Sequence, residues 1–113
     1  MMKRVINNCI MPKVIHLSEN LFESTINENR GKIIIDFWAP WCGPCRSLGK
    51  ILDTLSNERD DVAIYKMNVD ECSFLTEKYD ISSIPTMLFF NDGKLIDQTI
   101  GLMTKMDILG KFY

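Results

Sequence analysis

The chain has 113 residues, 46% of them apolar and 25% charged, with a formal net charge of -2. That length suffices for one domain with a core of its own, and the composition is ordinary for a soluble globular protein. Dispersed Lys and Arg in a near-neutral balance exclude nucleic acid and anionic membrane as expected partners, and no apolar run approaches the roughly 18 residues of a membrane span. Four cysteines could suggest a secreted disulfide scaffold, but a core of this size does not need one. The first residues, Met1-Met2-Lys3-Arg4-Val5-Ile6-Asn7-Asn8, carry positive charge without an apolar stretch of signal-peptide length. The chain is therefore expected in the cytoplasm, where thiols stay reduced and a cysteine pair works as a dithiol.

Residues 1–12 show no clean period and end at Pro12. They are expected to form a loosely ordered extension containing Cys9, ahead of a single domain over 13–113. Residues 14–17 read as a short strand. His16, the single histidine, is read as a packed or solvated strand-end side chain rather than a catalytic group. Ser18 is placed to cap a helix that buries Leu21, Phe22 and Ile26. After a turn at Asn29-Arg30-Gly31-Lys32, residues 33–38 form a strand apolar at nearly every position, as expected where helices cover both faces. Asp36 interrupts that run. An ionised, unpaired carboxylate in such a place costs several kcal/mol, so Asp36 is expected to be protonated or partnered, with its pKa raised toward neutrality. A group of that kind can exchange protons with a thiol at physiological pH.

Cys42-Gly43-Pro44-Cys45 follows directly and opens a helix over 42–59, in which Leu48, Ile51, Leu52 and Leu55 mark one buried face. Both cysteines thus lie in the first turn, where unpaired N–H groups and the helix dipole favour a thiolate. Pro44 suits that turn, which has no partner for the N–H it lacks. A zinc site would need two more ligands, and Cys9, Cys72 and His16 are single residues rather than a second pair, so no metal is expected. Asp60-Asp61 turns the chain into a strand over 62–69 that carries Lys66 inside it, which could be a snorkelling edge lysine. Asp70-Glu71-Cys72 leads into a short helix with Phe74, Leu75 and Tyr79 inward, and Cys72 reads as an incidental or peripheral thiol. Pro85, in Ile84-Pro85-Thr86, stands at the start of a strand over 86–91. A second strand over 95–100 is joined to it by Asp92-Gly93, a strong hairpin signal. Thr104 caps a last helix, with Asp107 completing an imperfect capping box and Met106, Ile108, Leu109 and Phe112 supplying apolar contacts.

Trp41-Cys42-Gly43-Pro44-Cys45, preceded by Asp36-Phe37-Trp38-Ala39 and accompanied by Ile84-Pro85-Thr86, resembles the active site of bacterial-type thioredoxins, and the similarity runs from about residue 14 to 112. The resemblance implies an α/β thioredoxin fold, a central five-stranded mixed β-sheet flanked by four helices. It implies a cis Pro85 in a loop lying against the cysteine pair, where Ile84, Pro85 and Thr86 bind an extended polypeptide. By the same resemblance Lys66 lies close to Asp36, Gly101 leaves a flat surface beside the reactive sulfur, Trp41, Gly43 and Pro44 shape the face a target meets, and Trp38 supports the site from beneath. It further implies a monomeric electron carrier that serves cell redox homeostasis, acts on disulfide-containing target proteins and is re-reduced by thioredoxin reductase. NADPH and FAD would belong to that partner, since this chain has no glycine-rich nucleotide loop and is expected to bind no cofactor. The chain departs from the family in having Gly49-Lys50 where a helix-kinking proline is common, in a short last helix, and in residues 1–12.

The expected chemistry is thiol–disulfide exchange. Cys42, nearer solvent, attacks a target disulfide as the thiolate, and Cys45 resolves the mixed disulfide while Asp36 takes its proton, directly or through water. An oxidising or isomerising protein of the same fold would more often carry a polar or His-containing pair between the cysteines. Gly43-Pro44 lacks that charge, which favours reduction. A binding module that uses the same surface independently of redox state is the alternative from a different class.

Overall fold

A computed structural model describes residues 14–113 and, further upstream, the backbone of two short strands, β1 (Val5–Ile6) and β2 (Cys9–Ile10), which pair antiparallel. The expected loose extension over 1–12 lies otherwise outside the described residues. The domain is a five-stranded sheet in the order β3-β5-β4-β6-β7, formed by β3 (Val14–His16), β4 (Lys32–Trp38), β5 (Val62–Asn68), β6 (Thr86–Asn91) and β7 (Lys94–Ile100). β3, β5 and β4 run parallel, while β6 and β7 are antiparallel additions, so the sheet is mixed as expected. The parallel strands are joined through α1 (Phe22–Glu28) and α2 (Gly43–Glu58); α3 (Ser73–Lys78) precedes the hairpin and α4 (Lys105–Gly110) follows it.

Strand alternation sorts the core into two halves. Ile33, Ile35 and Phe37 of β4 face Phe22 and Ile26 of α1 and Leu75 of α3. Ile34, on the opposite face, packs with Leu48, Leu52 and Leu55 of α2 and Ile108 of α4. Both faces of β4 are thus covered, which explains why it is apolar at nearly every position. Asp36 shares the Ile34 face and is fully buried.

Three expected inward residues point out. Leu21 is 52% exposed because Glu19–Leu21 forms a 3-10 turn ahead of α1, which turns it off the apolar face. Ser18 therefore does not cap α1, and its hydroxyl donates to Asn20 Oδ1 instead, at 2.7 Å. Phe74 and Met106 are 66% and 78% exposed. Each is one or two positions from a buried residue, Leu75 or Ile108, so at about 100° per residue it falls on another side of its helix. Thr104 does cap α4, accepting from Asp107 N–H at 3.1 Å.

The hairpin turn uses Asp92 and Gly93, both with positive φ (51° and 85°), as a two-residue connection matching strand twist requires. Asp92 also accepts the Gly31 N–H on its carboxylate at 2.8 Å, tying the turn to the start of β4. Asp92→Ala should cost about 1–2 kcal/mol, from the lost hydrogen bond and the left-handed backbone; urea unfolding measures it.

Candidate active site

α2 begins at the cysteine pair. Cys42 is its N-cap residue, with extended backbone (φ -96°, ψ 114°), and its Sγ accepts the Cys45 N–H at 3.2 Å. The cap is thus a sulfur bonded to one of the orphan amides of the first turn, an arrangement that stabilises negative charge on that sulfur once the pair is reduced. Pro44 occupies the first turn. Cys42 and Cys45 form a disulfide with Cα atoms 5.2 Å apart. Cys42 keeps 6% exposure and Cys45 1%, so the sulfur an incoming group meets is that of Cys42.

Around the pair lie Ala39, Trp38, Val69 and Ile84. The Ile84–Pro85 peptide is cis, and the Ile84 carbonyl oxygen stands 3.9 Å from Cys42 Sγ. Pro85 is buried, its carbonyl accepting the Gly101 N–H at 2.8 Å. Thr86 is buried too, its hydroxyl donating to the Ser83 carbonyl. Within the expected Ile84-Pro85-Thr86 surface, Ile84 alone has a partly exposed side chain. Gly101 has φ +95°, and a Cβ there would meet nothing within 4 Å, so backbone conformation rather than crowding requires glycine. A Cβ on Gly43 would meet the Arg46 guanidinium at 3.9 Å and nothing nearer.

Trp41 is 68% exposed, yet its indole N–H donates to Asp70 Oδ2 at 3.2 Å. Trp41, Val69, Thr76, Ile81, Ser82, Ser83 and Ile84 line an open groove of about 220 Å³ beside the disulfide. Sequence reasoning found Trp41 and Ile84 but missed Asp70, Thr76, Ser82 and Ser83, which come from separate elements and carry no local pattern.

Asp36 and Lys66 are register partners on β4 and β5. Both Asp36 carboxylate oxygens are buried without a hydrogen-bond partner among the described residues. Burial pushes its pKa up to about 7, and the Lys66 charge works the other way. Since β5 lies between β3 and β4, Lys66 is not the edge lysine it could have been. It is half-buried, its Nζ lying 4.3 Å from the Trp38 ring centroid. A Cβ on Gly49 would stand 3.6 Å from that Nζ, so the glycine of α2 faces the lysine head. With Lys50 in place of a proline, α2 runs as one helix of 16 residues.

The thioredoxin family model matches residues 13–112, nearly all of the described domain. The chain belongs to the thioredoxin family. It is 40% identical over 77 residues to a thioredoxin of Mycoplasmoides gallisepticum, covering 68% of this chain and 77% of that protein. It is 36% identical over 99 residues to a thioredoxin of Haemophilus influenzae, covering 87% and 92%. A chloroplastic M-type thioredoxin of Spinacia oleracea is 36% identical over 94 residues, 82% of this chain and 52% of that protein. With the disulfide at the head of α2, membership of this family makes the chain a thiol–disulfide oxidoreductase.

Cys72 is not the peripheral thiol expected: it is 1% exposed in the α1 and α3 core, and its Sγ donates to the Asn68 carbonyl at 3.2 Å. Burial, with Glu19, Glu71 and Asp70 nearby, pushes its pKa up to about 11, which leaves it a poor nucleophile. Among the described residues no group of three or more His, Cys, Asp or Glu is arranged to hold a metal, and no helix is long and apolar enough to cross a membrane.

Proposed function

We propose that the chain is a cytoplasmic, monomeric protein-disulfide reductase, cycling Cys42 and Cys45 between dithiol and disulfide and re-reduced by an NADPH-dependent thioredoxin reductase. The observation that carries this reading is the Cys42 sulfur at the α2 N-terminus, capped by the Cys45 N–H and 3.9 Å from the carbonyl oxygen of Ile84, a residue that also lines the groove. In the reduced protein the Cys42 thiolate attacks one sulfur of a target disulfide, and the other target sulfur leaves as a thiolate. Cys45 then attacks Cys42 Sγ, releasing the second target thiolate and leaving Cys42–Cys45 oxidised. Two electrons pass to the target, which takes up two protons.

Asp36 accepts the Cys45 proton as that thiol becomes a nucleophile, a task suited to a carboxyl with a pKa near 7. Lys66 counters its charge once it is ionised. The extended target segment lies along residues 82–84, with Trp41, Gly43, Pro44 and Gly101 framing it and Trp38 beneath. Thioredoxin-named relatives support targets that contain disulfides. No cofactor is needed on this chain, because flavin and nicotinamide serve the partner reductase.

The test is a coupled assay in which NADPH, a bacterial thioredoxin reductase and this chain reduce insulin. NADPH oxidation that depends on all three is expected. Failure of the reductase to reduce Cys42–Cys45 would overturn the partner. A measured reduction potential in the range of strong protein oxidants would overturn the direction.

A further inference from the structure

The row of side chains crossing the sheet through Asp36 and Lys66 reaches on to His16, whose ring is exposed. Register sets His16 of β3 beside Lys66 of β5, and Lys66 beside Asp36 of β4. Register partners on adjacent strands share a sheet face, and Trp38, two residues past Asp36, shares it too. The Trp38 indole meets both His16 and Lys66. Lys66 Nζ lies 4.3 Å from its centroid, and the His16 ring lies 5.8 Å away, tilted by 58°.

Two further observations give these contacts weight. Trp38 Nε1 is buried with no hydrogen-bond partner among the described residues, so ring contacts and the neighbouring Cys pair, rather than an anchored N–H, orient the indole. The lysine head is bounded on the helix side by Gly49, where a Cβ would stand 3.6 Å from Nζ. The charged side chains of α2 itself, Arg46, Lys50, Asp53 and Glu58, are all exposed, and Lys66 is the charge that acts on Asp36.

We propose that His16 is a positioning residue for the dithiol chemistry: its ring buttresses Trp38, and that indole in turn holds the Lys66 ammonium beside Asp36. Its importance for turnover rests on the proton-transfer role given to Asp36 above. Without the His16 ring, the indole and the ammonium riding on its face gain freedom. The positive charge then spends less time near the carboxyl, and the ionised form of Asp36 loses support.

Carbon-13 titration of the Asp36 carboxyl in the full reduced chain reads this directly. His16→Ala should move the Asp36 midpoint alkaline by about half a pH unit. His16→Phe keeps a ring against Trp38 and should restore the wild-type midpoint. Lys66→Met should move it further in the same direction, and adding His16→Ala to Lys66→Met should move it no more, since the effect runs through the lysine. An unmoved midpoint in His16→Ala, equal shifts in the Ala and Phe variants, or additive shifts in the double variant would each overturn the proposal. Turnover of Asp36→Asn separates the two readings. An inflection near neutrality that survives it removes the role of Asp36, while the titration still decides that of His16.

Discussion

Cys42→Ser should lower insulin reduction by at least ~10³-fold, because a serine hydroxyl is not ionised near neutral pH and cannot displace a disulfide sulfur. The fold should survive. Serine is a better N-cap than cysteine, and its oxygen can take over the Cys45 N–H that Cys42 Sγ now accepts at 3.2 Å. Unfolding of the variant, compared with the reduced wild type so that neither carries the disulfide, should show equal or slightly higher stability. Loss of activity with an intact fold then reports chemistry alone. Cys45→Ser should behave differently: the first attack proceeds, the resolving thiol is missing, and the target stays bound through Cys42. Intact-protein mass spectrometry should find a covalent adduct that dithiothreitol releases. No adduct, or an adduct on Cys72, would contradict these assignments. Binding of partners that persists unchanged in the doubly substituted chain would instead favour the redox-independent module.

Much of this is legible in the sequence alone. α2 announces itself through Leu48, Leu52 and Leu55, all fully buried, over a span long enough for the helical period to repeat. β4 is legible as a run apolar at nearly every position, and the same run exposes Asp36 as a carboxyl with nowhere to go but the interior. The β6–β7 hairpin follows from Asp92-Gly93 alone. Short elements are a different matter. α1, α3 and α4 have seven, six and six residues, less than two full turns, so a single 3-10 turn or a shift of one position decides whether Leu21, Phe74 or Met106 faces in or out. Periodicity cannot fix the phase of so short a helix.

The site divides along similar lines. Its reactive pair and buried acid are local signals, set by residues within ten positions of one another. The groove is not local: Trp41 meets Asp70 across 29 positions, and Ser82 and Ser83 join it from the loop before β6. Thr86 follows a proline whose loop does meet the disulfide, but strand alternation turns its side chain into the core, so only its backbone is placed to pair with a target. His16 was legible only as a lone strand-end histidine, because its contact with Trp38 depends on β3 and β4 both flanking β5.

Asp36→Ala should gain stability relative to the wild type as pH rises, and the sign follows from linkage. The folded-state pKa is about 7 against an ordinary value of 3.8, raised chiefly by burial. Between those values the native state holds a proton that the unfolded state has released, so stability falls as pH rises across the window. Below about pH 4 both states are protonated and the effect vanishes; above about pH 7 it is complete. The difference of 3.2 units between the two values corresponds to about 4 kcal/mol, and the part falling between pH 5 and pH 8 to roughly 2–3 kcal/mol. Urea unfolding of the oxidised wild type and of Asp36→Ala at both pH values measures it. The cavity left by the smaller side chain weakens the variant equally at each pH and cancels in the comparison. The variant should therefore gain on the wild type by that amount between pH 5 and pH 8, while its turnover near neutrality falls because the proton acceptor for Cys45 is gone. A gap between the two stability curves that stays constant with pH would mean that Asp36 ionises as freely in the folded chain as in water. It would also remove the reason for assigning it the proton.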